Sequence, residues 1–376
     1  MDLDLSEDQK MLKAMARDLL EKECPKKLVR EMEDDENGHP PELWNKMVEL
    51  GLLGLPFPEK YKGGGGSFLD LAVLLEETGR ACLPGPFFST VVLGGLPILA
   101  AGSEQQKQKF LPAIAQGKIF SLALVEADGG YDPASIETSA TAEKDSYVIS
   151  GTKLFVPDAH IADYLLCLAR TKKGSPKDKG LTLFIVDAKS KGISCTMLHT
   201  ITGDKQCEVI FDKVKVPKEN TLGEVDKGWE VMEKTLELAA VAKCADLVGA
   251  AEQVLEMTVA YAKERIAFDH PIGSFQAIQH HCANMKVDVD GMRFLTYQAA
   301  WLLSEGLPAT KEVSMAKAWV SEAYRRVTGS GHQIHGSIGY TLDHDMQLYF
   351  RRGKAAEATF GDAELHRETV ACQLGL

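Results

Sequence analysis

The sequence predicts an α+β chain in three parts: an all-α N-terminal domain, a middle antiparallel β-barrel or sandwich, and a C-terminal four-helix bundle. Three observations lead there. Residues 1 to about 119 and the chain from about Glu224 onward read as helical by composition and apolar spacing. Between them lie six short β-rich runs parted by Gly, Asp, Asn and Lys-rich turns, with no long helix among them. Strand–helix–strand alternation is absent, and no G-x-G-x-x-G follows a strand, so a doubly wound nucleotide fold is excluded. The expected boundaries are 1–119, 120–224 and 225–376.

In chain order, Ser6 followed by Asp8 and Gln9 marks a helix start, and Met11, Leu12, Met15, Leu19 and Leu20 give it an apolar face. A helix over Glu42–Leu50 ends at Gly51. The run Gly63-Gly64-Gly65-Gly66 is read as a flexible turn, because no Lys-Ser/Thr follows it and no strand precedes it. Helices over Phe68–Ala81, Val91–Ala101 and Glu104–Gly117 complete this part. The expected strands are Phe120–Val125, Tyr147–Ser150, Tyr164–Ala169, Leu181–Val186, Cys195–Leu198 and Cys207–Val216, with Lys172–Lys179 a solvated hairpin tip. Helices are then expected over Trp229–Ala262, Ser274–Leu303 and Ala309–Thr328, near Gln333, and over Asp345–Gln373.

The 376 residues, 45% of them hydrophobic, suffice for two or three domains with cores of their own. A balance of 42 basic against 54 acidic residues, net −12, argues against nucleic-acid binding and against an anionic membrane surface. Eight scattered cysteines with no Cys-x-x-Cys pair indicate neither a zinc site nor a disulfide framework. The acidic start Met1-Asp2-Leu3-Asp4 does not read as a secretory or transit peptide, and no apolar run approaches the ~20 residues of a membrane span. A soluble, cytoplasmic protein is expected.

The stretch that organises the reading of function is Glu264–His280. A helix ends near Arg265, Pro271 and Gly273 impose a turn, and Ser274 is a fair N-cap for the next helix. An Arg at a helix end can grip a pyrophosphate, and Phe268 can lie against a flat heterocycle. The bland alternative is a surface Arg and a core Phe.

The run Arg-x-x-Phe, Pro-Ile-Gly, Phe-Gln-Ala-Ile-Gln-His resembles the segment after the long helix of acyl-CoA dehydrogenases, and the resemblance covers nearly the whole chain. It implies an FAD-dependent oligomer in which Arg265, Phe268 and Gln276 reach the FAD bound by a neighbouring subunit. Asp269 stands where the family usually has Gly. The stretch Leu122–Asp132 resembles the family's flavin loop and implies flavin contacts at Leu124, Val125 and Tyr131, with Val125 in place of a Thr and Tyr131 in place of a Ser. Gly151–Ala159 is similar to the family's Gly-x-Lys-x-Trp strand; Phe155 replaces the Trp, and Pro157 replaces a Thr and loses a hydroxyl and a backbone donor. Gln333, Gly336 and Ser337 lie in a run resembling the Gln-x-x-Gly-Gly turn that touches the FAD adenosine and pyrophosphate. His332 and His335 have metal-ligand spacing but no third ligand, so no metal is expected.

The resemblance fails where the chemistry should be. The family removes an α-proton with a carboxylate, usually the Glu of a Tyr-Glu-Gly-Thr segment, while the β-hydride goes to the flavin. Here the matching run is Thr359-Phe360-Gly361-Asp362-Ala363-Glu364, with Phe360 in the Glu's place. Asp362 is the first candidate for a relocated base; Glu237 and Glu364 are alternatives. The function implied is an acyl-CoA dehydrogenase subunit forming a Cα–Cβ double bond in an acyl-CoA thioester, the Phe-Gly-Asp run tilting towards a bulky, cyclic or dicarboxylic acyl group. An electron-transfer flavoprotein would be the acceptor. The assembly would be a homo- or hetero-oligomer, dimer or tetramer, with a subunit of the same kind. Alternatives are a catalytically reduced partner subunit and a flavin oxidase or monooxygenase on the same fold.

Overall fold

The computed structural model describes residues 4–127, 130–172, 174, 176 and 178–376. Met1 to Leu3 of the acidic start, Asp128 and Gly129 of the flavin-loop stretch, and Lys173, Ser175 and Lys177 of the hairpin tip lie outside the described residues. The elements are α1 (Glu7–Glu23), α2 (Lys26–Asp34), α3 (Pro41–Glu49), α4 (Phe68–Ala81), α5 (Leu96–Ala101) and α6 (Glu104–Ala115). Strands follow: β1 (Phe120–Ala123), β2 (Ser139–Ala142), β3 (Ser146–Pro157), β4 (Tyr164–Arg170), β5 (Leu181–Asp187), β6 (Ile193–Leu198), β7 (Gln206–Pro217) and β8 (Thr221–Leu222). Then come α7 (Gly228–Glu264), the short strands β9 (Ile266–Ala267) and β10 (His270–Pro271), α8 (Gln276–Ser304), α9 (Thr310–His335), α10 (Met346–Ala358) and α11 (Ala363–Gln373). Helices flank a central β region, as the sequence predicts. Two compact units result: Met1–Arg30, Ser67–Leu83 and Ala240–Leu376 form the first, and Glu31–Gly66 with Pro84–Ala239 the second.

The first, helical unit is set by two glycines where α4 and α7 cross. A Cβ on Gly79 would sit 1.8 Å from the Asp246 carbonyl oxygen, and one on Gly249 would sit 1.7 Å from that of Glu76. Gly249, which the sequence shows only as an interruption of a long helix, is thus a contact point between backbones. Beside the crossing, the buried Glu76 carboxylate accepts from Lys13 Nζ at 2.5 Å, Arg293 at 3.0 Å and Tyr297 Oη at 2.7 Å. Burial alone would raise its pKa, but Arg293 and Lys13 hold it below the usual value. Glu77 is gripped by Arg17 through both carboxylate oxygens, at 2.9 and 2.8 Å.

The second unit is built on an eight-stranded sheet in the order β6-β7-β3-β2-β4-β5-β8, with β1 paired to β4. Most pairings are antiparallel, but β1 runs parallel to β4 over four residues and β2 meets β4 in parallel at Ser139 and Arg170. That corrects the wholly antiparallel expectation: β2 is too short and polar to have been read as a strand, and β1 enters from a helix rather than from a hairpin. The longest ladder, β3 with β7, carries irregularities between Ile149 and Gly151 and between Lys153 and Val156. An aromatic cluster of Phe110, Phe120 and Tyr164, with centroids 5.0 to 5.9 Å apart, fills the space beneath β1 and β4.

Four local expectations are corrected. The glycine run is no slack turn: the N–H groups of Gly63, Gly64, Gly65 and Gly66 donate to the carbonyls of Pro58, Gly54, Phe57 and Leu55. A Cβ on Gly63 would lie 2.0 Å from the Phe57 oxygen, so glycine serves close backbone contact there. Ser274 does not cap α8; its hydroxyl donates to the Pro271 carbonyl, and Phe275 holds the cap position. α9 runs unbroken through Gly329 and Gly331 to His335, absorbing the short helix expected near Gln333. The last expected helix is instead two, because Phe360 (φ 61°) and Gly361 (φ 93°) turn the backbone left-handed between α10 and α11.

Candidate functional site

The residues singled out by the sequence fall in both units. In the β unit, the alternation of β3 buries Tyr147, Ile149 and Lys153, so parity would turn Phe155 inward as well. The irregularity between Lys153 and Val156 changes that. Phe155 takes φ 52°, and 57% of its surface is exposed. A left-handed, solvent-facing Phe is strained on both counts, and such strain is concentrated at ligand-binding positions.

Lys153, the neighbour that fixes this geometry, has no exposed surface. Its ammonium donates to Glu126 Oε1 at 2.6 Å and to the Leu124 carbonyl at 3.0 Å. Glu126 in turn accepts from the N–H groups of Glu137, at 2.8 Å, and Thr138, at 3.1 Å. Burial would raise the Glu126 pKa, but the Lys153 charge and these donors hold it below the usual value. Arg170 closes the other end of the loop through the carbonyls of Ile136 and Pro133. Leu124 and Val125 therefore sit on a braced segment. Their carbonyls face Lys153 Nζ and the Leu154 N–H respectively, so a backbone contact to a ligand is left to their N–H groups. Tyr131 is half-buried, and Asp132 caps the following turn by accepting from the Ala134 N–H at 2.8 Å. Pro157 is half-buried, and its carbonyl accepts from the Ser121 hydroxyl.

In the helical unit, Arg265 follows the last residue of α7 and opens a tight hairpin in which Ala267 pairs His270. Phe268 and Asp269 are its two central residues, with φ of 53° and 63°. Two left-handed residues are what a two-residue primed turn demands, which explains why the resemblance sets a Gly at 269. The core-Phe alternative does not survive: Phe268 is 88% exposed, with Phe275 edge-on to it at 6.2 Å. Arg265 and Gln276 are also exposed, and Arg265 has no ion partner among the described residues. Tyr261, one turn before Arg265, stacks on His335 at 4.5 Å, bringing the end of α7 to the end of α9. There Gln333 and Ser337 are exposed, and Gly336 has φ 65° with open space where a Cβ would lie. His332 and His335 are packed rings: His332 stacks on Tyr340 at 4.4 Å, and burial lowers the pKa of both. An exposed guanidinium, an exposed ring and an open glycine turn fit the phosphates and flat rings of a flavin nucleotide.

The candidate bases are less well placed. Asp362 is exposed, and its carboxylate caps α11 by accepting from the Leu365 N–H at 2.9 Å. Glu364 is exposed in the first turn of that helix. Glu237, on α7 and in the other unit, is half-buried. The turn holding Phe360 is braced from below by Lys317, without exposed surface, whose ammonium donates to Ser321 Oγ and to the carbonyls of Ala356, Glu357 and Gly361 at 2.8 to 3.2 Å. His366 adds a contact to the Phe360 carbonyl at 2.9 Å.

Lys153 and Lys317 were missed as site residues, although each left a trace. Lys153 shares the inward parity of Tyr147 and Ile149, and Lys317 lies on the apolar stripe of Val313, Val320 and Tyr324. A lysine in such a register signals a buried polar anchor.

Three family models match the chain in succession: the acyl-CoA dehydrogenase N-terminal domain over residues 6–118, the middle domain over 121–214 and the C-terminal domain over 226–375. The probable acyl-CoA dehydrogenase YngJ of Bacillus subtilis is 34% identical, covering all of both chains. The caffeyl-CoA reductase-Etf complex subunit CarC of Acetobacterium woodii is 33% identical over 98% of each. Among solved structures, butyryl-CoA dehydrogenase from Megasphaera elsdenii superposes with a TM-score of 0.93 at 30% identity over the whole of both chains. The ChsE4-ChsE5 complex from Mycobacterium tuberculosis gives 0.91 at 28% identity, covering 100% of this chain and 99% of that one. With its helix–sheet–helix order and three successive domain matches, this chain belongs to the acyl-CoA dehydrogenase family, whose members are FAD-dependent oxidoreductases acting on CH–CH bonds.

Proposed function

We propose that this chain is the flavin-holding subunit of an acyl-CoA dehydrogenase assembly, acting at the Cα–Cβ bond of an acyl-CoA thioester and exchanging electrons with an electron-transfer flavoprotein. A bulky, cyclic or dicarboxylic acyl group is the favoured substrate class. Leu124, Val125, Tyr131, Phe155 and Pro157 line the flavin portion of the FAD this chain binds; Arg265, Phe268, Gln276, Gln333, Gly336 and Ser337 reach across a subunit interface to the FAD of a neighbouring subunit. Bound FAD supplies the acceptor for the β-hydride. The α-proton goes to a carboxylate outside the Phe360–Glu364 turn, contributed by a related subunit.

One observation carries this reading. Phe360 takes the Glu's place on a left-handed turn braced by Lys317 and His366, while Asp362 spends its carboxylate on a helix cap in solvent. A base needs a dry pocket within reach of the substrate. The similarity to a protein whose solved structure is a two-component complex adds support. The half-burial of Glu237 favours a second reading, in which α7 supplies the base and the chain acts alone.

The test is anaerobic bleaching of bound flavin by a panel of acyl-CoA thioesters, with the chain purified alone and with its partner. The proposal expects flavin to be retained, bleaching to require the partner, and Asp362→Asn, which still caps a helix, to change nothing. Bleaching by the chain alone that is abolished in Asp362→Asn would overturn it. Loss in Glu237→Gln instead would establish the second reading.

A further inference from the structure

Away from the flavin residues, one side of the β unit brings two cysteines and a histidine together. Antiparallel pairing of β6 with β7 sets Cys195 opposite Val209 and Met197 opposite Cys207, so Cys195 and Cys207 are diagonal neighbours. Cys195 is exposed and Cys207 buried. Diagonal neighbours on one face of an antiparallel pair project to the same side, so the two thiols face each other. From the other direction, His160 Nδ1 lies 4.0 Å from Cys207 Sγ, and its Nε2 lies 3.2 Å from the Asn37 carbonyl oxygen, which orients the ring. A surface cavity of about 370 Å³, lined by His160, Lys189, Cys195 and Val209 among others, gives small solutes access to the exposed sulfur.

The electrostatics fit a thiol pair sharing one proton. The Cys195 donor and then His160 bring the Cys207 pKa down to about 5, while Cys195 is raised by that hydrogen bond. Burial opposes protonation of His160, but Cys207 raises its pKa overall. β6 is an edge strand, exposed from Ser194 to Met197, so it can shift to close a bond without disturbing a further strand.

We propose that Cys195, Cys207 and His160 form a peroxide-reactive dithiol that closes to a disulfide between β6 and β7. The Cys207 thiolate takes the Cys195 proton as the Cys195 sulfur attacks one oxygen of hydrogen peroxide. The O–O bond breaks, Cys195 becomes a sulfenic acid, and the departing hydroxide takes a proton from the His160 imidazolium to form water. Cys207 then gives its proton to His160 and its thiolate attacks the Cys195 sulfur, displacing a second hydroxide that His160 protonates. Two thiols and one peroxide yield one disulfide and two waters. Because Cys207 pairs with Val156, the bridge forms one strand away from the exposed Phe155 ring.

The experiment treats the full-length protein with stoichiometric hydrogen peroxide and maps thiols by mass spectrometry, using Cys372, the other exposed cysteine, as internal reference. The expected result is a cross-linked 195–207 peptide pair lighter by two hydrogens, formed at least about tenfold faster than Cys372 is oxidised. Cys207→Ser should stop at a sulfenic acid on Cys195 that dimedone traps. His160→Asn should slow bridge formation about tenfold while leaving Cys372 unchanged. Absence of the cross-link, Cys195 oxidation no faster than that of Cys372, or a His160→Asn rate equal to the parent's would overturn the proposal.

Discussion

Phe155 on β3 and Phe360 between α10 and α11 are both left-handed phenylalanines held beside a lysine with no exposed surface, but the two lysines are satisfied differently. Lys153 meets a carboxylate, Glu126, and one carbonyl. Lys317 meets a hydroxyl and three carbonyls, two of them from the C-terminal turn of α10, where the helix dipole is negative. The first bracket neutralises its charge and fastens a loop. The second keeps an ammonium among neutral oxygens, and burial lowers the Lys317 pKa. A bent backbone can thus be fixed by an ion pair or by converging carbonyls, and the two solutions respond to pH in different windows.

Removing Lys153 is the harshest way to break the comparison. Lys153→Met strands the buried Glu126 and should lower unfolding free energy by about 3–5 kcal/mol in a urea titration. The Glu126 pKa lies below 4.5 when folded, so the bracket's contribution is whole above 4.5 and fades as pH falls through the folded value. A variant as stable as the parent at neutral pH would show that the loop does not depend on the ion pair.

Asp158, immediately beyond the same strand, comes next. Its buried carboxyl accepts from Ser89 Oγ at 2.6 Å, and burial raises its pKa from 3.8 to about 6, with His160, Asp204 and Cys207 facing it. An acid whose folded pKa is raised stabilises while protonated and loses that contribution as pH climbs from 3.8 through 6. Asp158→Asn should therefore gain on the parent over that window, approaching about 3 kcal/mol at neutral pH. Parallel stability–pH curves would refute the assignment.

Lys317→Met should cost less than Lys153→Met, about 1–3 kcal/mol, because it leaves unmatched oxygens but no opposite charge. A lysine with a lowered folded pKa binds its proton more weakly than the unfolded chain does. The parent's advantage should grow as pH rises towards 10.5, far above the acid window in which the Glu126 bracket fades. Thermal melts of the two variants at several pH values would show whether the brackets diverge. The smallest effects belong to the phenylalanines. Phe155→Gly should stabilise the unit by about 1 kcal/mol, by releasing left-handed strain at little loss of burial. Phe360→Gly should gain less, since its half-buried ring gives up contacts.

Much of the frame was legible. Apolar spacing fixed most helices to within a few residues, and the motif runs pointed to Arg265, Phe268 and Phe155. What escaped were places where the backbone partner a residue finds differs from the one its type suggests. Ser274 has the chemistry of a cap but bonds backward to Pro271. Asp362, offered by the sequence as a relocated acid, also caps α11, a contact that the residue type alone does not reveal. Gly63 to Gly66 look slack only while the carbonyls they contact are out of sight.

By itself the sequence determined the order helix, sheet, helix, the acidic surface charge, and the absence of the expected Glu at 360, because periodicity, charge and identity are local properties. Only the tertiary structure decided that Phe155 faces solvent, that Lys153 and Lys317 are buried anchors, and that Cys195 and Cys207 meet. Those outcomes depend on strand register and on which distant carbonyls converge around an ammonium.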